Sequence, residues 1–142
     1  MLIIYSLVLW FFVGVSAYFF YRSRLDRRRF DTLFRHAPLA LIVVDQQQRI
    51  VKWNHQAQHI FQWHEQEVLG KNVIDLLISR DSKHKIQQIL ASVTEQQTTV
   101  RSENWNLRKD GREVLCEWLN APYFDRHARP QHVICMARLV ED

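Results

Sequence analysis

Histidine is the most abundant chemically versatile residue in this 142-residue chain, with seven copies against two cysteines. His55 and His59 are four apart, a spacing that puts two imidazoles on one face of a helix and can chelate zinc or copper. A third ligand would be needed, and His64 is the nearest candidate. His36, His127 and His132 are scattered, and solvated surface imidazoles that gain charge near ~pH 6 are the simpler reading of the whole set. Cys116 and Cys135 match no metal-ligand spacing and read as small core hydrophobes. No serine–histidine–carboxylate order, phosphate-binding glycine loop or helical His-Glu-x-x-His pattern is present. Three glycines, at 14, 70 and 111, are too dispersed for a phosphate cradle. The residues therefore point to binding, with no catalytic group assigned.

The elements that must carry these residues begin with an unusual segment. Residues 1–21 contain no charge, and Arg22, Arg24, Arg27, Arg28 and Arg29 follow, offset only by Asp26. At ~1.5 Å of rise per residue that run covers about the ~30 Å of a bilayer core. The expectation is one transmembrane helix over 1–21, with the arginines beside an anionic leaflet holding the following part on the cytoplasmic side. A cleaved signal peptide would carry its basic residues ahead of a shorter apolar run and end in small residues. Here Tyr18, Phe19, Phe20 and Tyr21 close the run instead. A core helix of this length and uniform apolarity is less expected, because helices of soluble proteins normally carry a polar stripe.

The charge is divided unevenly. The formal net charge is +4, from 19 Lys+Arg and 15 Asp+Glu. Five of the basic residues and one acidic residue lie in 22–29, which leaves 14 of each in 30–142, so the soluble part is neutral. The basicity belongs to the anchor, and nucleic-acid binding loses its main support. The remaining length suits one domain.

Along that domain, Phe30, Leu33 and Phe34 recur at helical spacing until Pro38, predicting a short amphipathic helix continuing from the membrane segment. Ala40–Asp45 and Arg49–Trp53, around the polar turn Gln46–Gln48, predict a hairpin. Asn54 caps a helix over His55–Phe61, a short turn runs from Glu65 to Gly70, and Asn72–Ile78 forms another short helix. Arg80–Thr94 carries Ile86, Ile89, Leu90 and Val93 on one helical face. Thr98–Arg108 and Arg112–Phe124 flank Asp110-Gly111, a strong hairpin signal, and after the polar turn Asp125–Pro130 a last strand covers His132–Val140. The sum is an α+β domain: a five-stranded antiparallel sheet with short helices on one face, preceded by one transmembrane helix. On the fourth strand Val114, Cys116 and Trp118 face one way and Leu115, Glu117 and Leu119 the other; the first set faces the core, since this avoids burying Glu117. A pocket is expected between sheet and helices. Its candidate lining is Trp53, Phe61 and Leu77 with Ile86 and Leu90, and Val114, Cys116 and Trp118 from the strand.

Four landmarks carry a family resemblance: Ala37-Pro38-Leu39-Ala40-Leu41-Ile42-Val43-Val44-Asp45, Arg49-Ile50-Val51-Lys52-Trp53-Asn54, Glu67-Val68-Leu69-Gly70-Lys71 and Arg108-Lys109-Asp110-Gly111-Arg112. Together, over roughly residues 30–140, the chain resembles a PAS sensory domain behind a transmembrane helix, as in membrane-bound bacterial signalling proteins. The domains would be 1–21 transmembrane helix, 22–36 basic juxtamembrane helix and 37–140 PAS. The resemblance implies a sensor or interaction module whose helical side encloses a cue or cofactor, with no catalysis of its own. It implies a single pass through the bacterial inner membrane, the PAS domain cytoplasmic, lipid contact through 1–29 and a homodimer through the Phe30–Phe34 helix.

The resemblance also frames the cofactor question, where no cofactor is the first expectation and haem or flavin the alternatives. Flavin-binding light sensors of the superfamily resemble one another around an Asn-Cys-Arg-Phe-Leu motif. Here that place reads Gly70-Lys71-Asn72-Val73-Ile74-Asp75, without cysteine, which excludes a light-driven thiol adduct. A non-covalent flavin could stack on Trp53, Trp63, Trp105 and Trp118, although such aromatics more often fill a core. Haem-binding relatives use a histidine on the long helix, which makes His84 the candidate iron ligand. Against it, Lys83 and Lys85 mark a polar helix face. A kinase, cyclic-dinucleotide cyclase or phosphodiesterase, or chemoreceptor tail commonly follows such a domain. The expectation is then either an output domain beyond Glu141-Asp142, making this the sensory piece of an enzyme, or action on a separate partner.

Overall fold

The structure is a computed structural model that describes residues 1–124 and 130–140. It divides into two compact units, residues 1–34 and 35–142.

The first unit is one element. Helix α1 runs Leu2–His36 without interruption, so the apolar run and the predicted amphipathic extension belong to one helix. The side chains from Ile3 to Val13 lie exposed. Where the apolar run ends, polar groups pair along the helix surface: Arg22 Nη1 donates to Tyr18 Oη at 3.2 Å, and the Arg24 guanidinium sits 4.5 Å above the Phe20 ring.

The second unit opens with strands β1 (Ala40–Val44) and β2 (Ile50–Trp53). Asp45 makes their turn, its Oδ1 accepting from the backbone N–H of Gln47 and of Arg49, both at 2.9 Å. Asn54 then begins helix α2 (His55–Phe61). Helices α3 (Glu65–Val68) and α4 (Val73–Leu77) are single turns; Gly70, at φ +81, supplies the left-handed residue between them. Asn72 caps α4 by accepting from Ile74 N at 2.9 Å and Asp75 N at 3.2 Å. The long helix predicted over Arg80–Thr94 is α5 (Lys83–Gln96), entered through a 3₁₀ turn at Arg80–Ser82. Lys83 Nζ reaches back 2.8 Å to Asp75 Oδ1 and joins α5 to α4.

Strands β3 (Val100–Leu107), β4 (Glu113–Phe124) and β5 (Pro130–Leu139) complete an antiparallel sheet in the order β2-β1-β5-β4-β3. Asp110 Oδ1 accepts from Arg112 N at 2.9 Å and Gly111 takes φ +84, which closes the β3–β4 hairpin. Of the polar turn expected at Asp125–Pro130, Pro130 already belongs to β5 and residues 125–129 lie outside the described ones. The apolar residues of α2–α5 pack on one face of the sheet, with Phe61, Ile42, Ile50, Ile60, Ile74 and Leu77 fully enclosed. The Phe61 ring stacks on Trp118, centroids 5.9 Å apart and planes 10° inclined.

Candidate functional site

Five elements converge on one small, partly open space. Ile74 and Leu77 of α4, and Ile86 and Leu90 of α5, form its helical wall. The sheet wall is Ser102 and Asn104 of β3, Trp118 and Asn120 of β4 and Cys135 of β5. The space within it that a water-sized sphere can occupy is about 30 Å³.

The sheet wall follows from strand registry. In the β3–β4 pair Ser102 lies opposite Trp118, Asn104 opposite Cys116 and Asn106 opposite Val114. Cross-strand partners share a face, so three polar residues at successive inward positions of β3 meet the inward residues of β4. Trp118 and Asn106 are both buried, and Trp118 Nε1 donates to Asn106 Oδ1 at 2.9 Å. Ser102 Oγ, Asn104 Oδ1 and Asn106 Nδ2 are buried with no hydrogen-bond partner within the protein. Buried polar atoms are normally paired, so this stripe stands out; Ser102 and Asn104 border the chamber, while Asn106 lies outside its lining.

The expected lining is split by the structure. Leu77, Ile86, Leu90 and Trp118 meet around the cavity. Trp53, Phe61 and Cys116 are buried in the core outside that lining, and Val114 packs partly buried against it. Trp53 is held away from the cavity by donating its Nε1 to the Trp63 carbonyl at 3.1 Å. Ser102, Asn104 and Asn120 have no counterpart in the expected lining. The Asp110-Gly111 hairpin contained the signal: once Cys116 is placed inward, its partner Asn104 must also point inward.

His84 does not fit an iron ligand. It is exposed on α5, its Nε2 3.1 Å from Gln88 Nε2. Successive residues turn ~100°, so His84 lies about 200° round the helix from Ile86, which faces the cavity. No histidine is among the lining residues. The four tryptophans do not form one stacking wall either: Trp105 points out of the sheet at 55% exposure, and Trp63 lies with the Lys71 and Lys109 ammonium groups 5.6 and 5.2 Å from its ring centre. Among the described residues no three His, Cys, Asp or Glu side chains are placed to hold a metal ion, so His55, His59 and His64 do not assemble; His127 lies outside those residues. The His55 ring instead meets His36 edge to face at 4.9 Å. Burial pushes the Cys135 thiol up to about 12, which keeps it a neutral part of the wall.

An antiparallel five-stranded sheet with four helices over one face and a chamber between them defines a small receptor-type sensory domain. The PAS fold family matches residues 28–140, and the chain belongs to it. No match was found among curated proteins. Among solved structures it is similar to the PAS domain of a protein from Colwellia psychrerythraea, at 20% identity and TM-score 0.70, covering 80% of this chain and 95% of that one. It is also similar to the PAS domain of an HTR-like protein from Haloarcula marismortui, at 19% identity and TM-score 0.70, covering 84% and 95%. An RNA-binding light-oxygen-voltage receptor aligns at 22% identity and TM-score 0.73, covering 82% of this chain and 34% of that one. At these identities the likeness shows the fold.

Proposed function

We propose that this chain is a membrane-tethered PAS sensor: α1 crosses the bilayer once, the PAS domain lies on the cytoplasmic side, and the chamber between α4, α5 and the sheet receives a small-molecule cue. The observation that carries the reading is the continuity of α1, whose uncharged first 21 residues and five following arginines lead without a break to His36, just ahead of β1. Its exposed apolar side chains match a lipid surface, and the arginines match anionic headgroups on the cytoplasmic leaflet. Occupancy of the chamber would shift α4 and α5 against β3–β5, and that change would pass by contact to an output domain or partner. Leu33, 73% exposed on the juxtamembrane part of α1, lies on the segment that would pair two copies.

Fractionation of cells with an alkaline carbonate wash, followed by protease treatment of spheroplasts and of lysed cells, tests the arrangement. The chain is expected in the membrane pellet, with the PAS domain resistant in spheroplasts and cleaved after lysis. Recovery in the soluble fraction, or digestion in intact spheroplasts, would refute it. Disulfide trapping of Leu33→Cys tests the pairing, since a monomeric protein gives no dimer band.

A further inference from the structure

We propose that the corner where α1 ends and α2 begins binds one divalent transition cation of the zinc–copper class, with His36 and His55 as its first two ligands and His59 as the third.

The first argument is what the fold brings together. His36 is the last residue of α1 and His55 the first of α2, distant in the chain and both within the second unit. Their rings lie with centroids 4.9 Å apart and planes 87° inclined. On a shared ion each ring centre sits about 3.2 Å from the metal, a metal–nitrogen length of ~2.0–2.1 Å plus ~1.15 Å from nitrogen to ring centre. Two neighbouring ligands at angles between about 90° and about 109° therefore have ring centres roughly 4.5–5.2 Å apart. The observed separation falls inside that interval. Perpendicular planes are no obstacle, because a ring can take any twist about its own metal–nitrogen bond. What the pair needs is a rotation of side chains, with no movement of the backbone.

The second argument is that these nitrogens are unspent on a fixed frame. Both imidazoles are exposed, and beyond their mutual contact neither makes a hydrogen bond or an ion pair among the described residues. The backbone beneath them is held by Asn54. Its side chain accepts from Ala57 N in α2 and from Leu41 N, and donates to Leu39 O, which ties the helix of His55 to the segment just after His36. Ligands carried on such a frame lose little freedom on binding.

The third argument is spacing. His59 follows His55 by one turn of α2, where residues four apart are neighbours with Cβ atoms about 5–6 Å from each other. It is exposed as well, so it can supply a third nitrogen and leave the fourth position to solvent. As the side chains stand no three such groups converge among the described residues, and closing the set requires His59 to swing towards the pair. An all-imidazole set suits zinc, copper and nickel, and offers no oxygen to magnesium or calcium. Bound there, the ion links the end of α1 to α2 and stiffens the joint ahead of β1.

The test uses the full chain, free of any polyhistidine tag, in detergent micelles near neutral pH. It is titrated with Zn²⁺ alone and Cu²⁺ alone, with Mg²⁺ as the control. The expected result is one ion per chain by calorimetry for Zn²⁺ and Cu²⁺, nitrogen couplings in the paramagnetic resonance spectrum of the Cu²⁺ form, and no response to Mg²⁺. Metal should also raise the Tm by linkage. His36→Ala and His55→Ala should each weaken binding at least tenfold and cancel the rise in Tm, since loss of an outer partner alone costs ~10–100-fold in metal affinity. His64→Ala should bind as the parent does. These side chains are exposed, so the Tm of each metal-free variant should stay close to that of the parent, and His36→Gln serves if His36→Ala misfolds. Full affinity in His36→Ala or His55→Ala, or no binding of Zn²⁺ or Cu²⁺ by the parent, would overturn the site. Full affinity in His59→Ala would assign the third position to water and overturn the part given to His59.

Discussion

Trp118 Nε1 donates to Asn106 Oδ1 at 2.9 Å across two strands, while the face of the same indole stacks on Phe61. The tryptophan thus joins the aromatic core to the polar stripe, and each of the two polar atoms is the other's partner in a place water does not reach. Trp118→Phe should cost about 1–3 kcal/mol through the stranded Asn106 oxygen, beyond the smaller ring. In a double-mutant cycle with Asn106→Leu, the combined loss in chemical denaturation should fall short of the sum of the two single losses. Additive losses would mean that the bond contributes nothing.

Asn54 is 1% exposed and ties three segments together. Its Oδ1 accepts from Ala57 N at 3.0 Å, capping α2, and from Leu41 N at 2.9 Å, while Nδ2 donates to Leu39 O at 2.8 Å. Loss of a cap plus two partly buried bonds should make Asn54→Ala cost about 2–4 kcal/mol. Asn54→Asp keeps the acceptor and loses the donor, so its Tm should fall between the other two. A Tm for Asn54→Ala within one degree or so of the parent, against the several degrees per kcal/mol expected for a small domain, would contradict this role.

Glu67 accepts from Lys109 Nζ at 2.6 Å and from His64 N at 2.9 Å. The lysine bond first, and the backbone N–H second, hold its carboxyl below the ordinary value of 4.5. A depressed carboxylate contributes stability above its unfolded pKa, and that contribution disappears as pH falls through the lower folded pKa. Lys109→Gln should therefore raise the Glu67 pKa part of the way back, followed by ¹³C NMR of the carboxyl. It should also flatten the acid limb of stability. Because both groups meet solvent, added salt should shrink the difference between parent and variant.

Burial pushes the Cys116 thiol up to about 11 and Cys135 to about 12, from an ordinary 9.0. Both remain neutral and enclosed at pH 8, so a thiol reagent should label them only after denaturation. The linkage has one sign: stability is fully present below the unfolded thiol pKa and is lost as pH rises from about 9 through the folded values. Cys116→Ala/Cys135→Ala should flatten that alkaline limb while lowering stability at pH 7 by leaving small voids. Rapid labelling of the folded chain at pH 8 would count against the buried placement.

Sequence alone was enough for the elements with local chemistry: Asn54 as a cap, Asp45 and Asp110-Gly111 as turns, and Ile86, Leu90 and Val93 as the inner face of α5. Each depends on a few neighbouring residues and the fixed periods of helix and strand. The polar stripe was not legible from β3 itself. Arg101, Ser102, Glu103, Asn104 and Asn106 are polar on both phases of the alternation, and Trp105, the one large apolar side chain among them, turned out to face solvent. Only registry against β4 chose the phase, because pairing Asn104 with Cys116 forces both to one side of the sheet. The same holds for the cavity: hydrophobicity placed Trp53, Phe61 and Leu77 alike in the interior. Which of them border a space and which fill the core is decided by how helices pack over strands, a relation between distant segments that no local pattern contains.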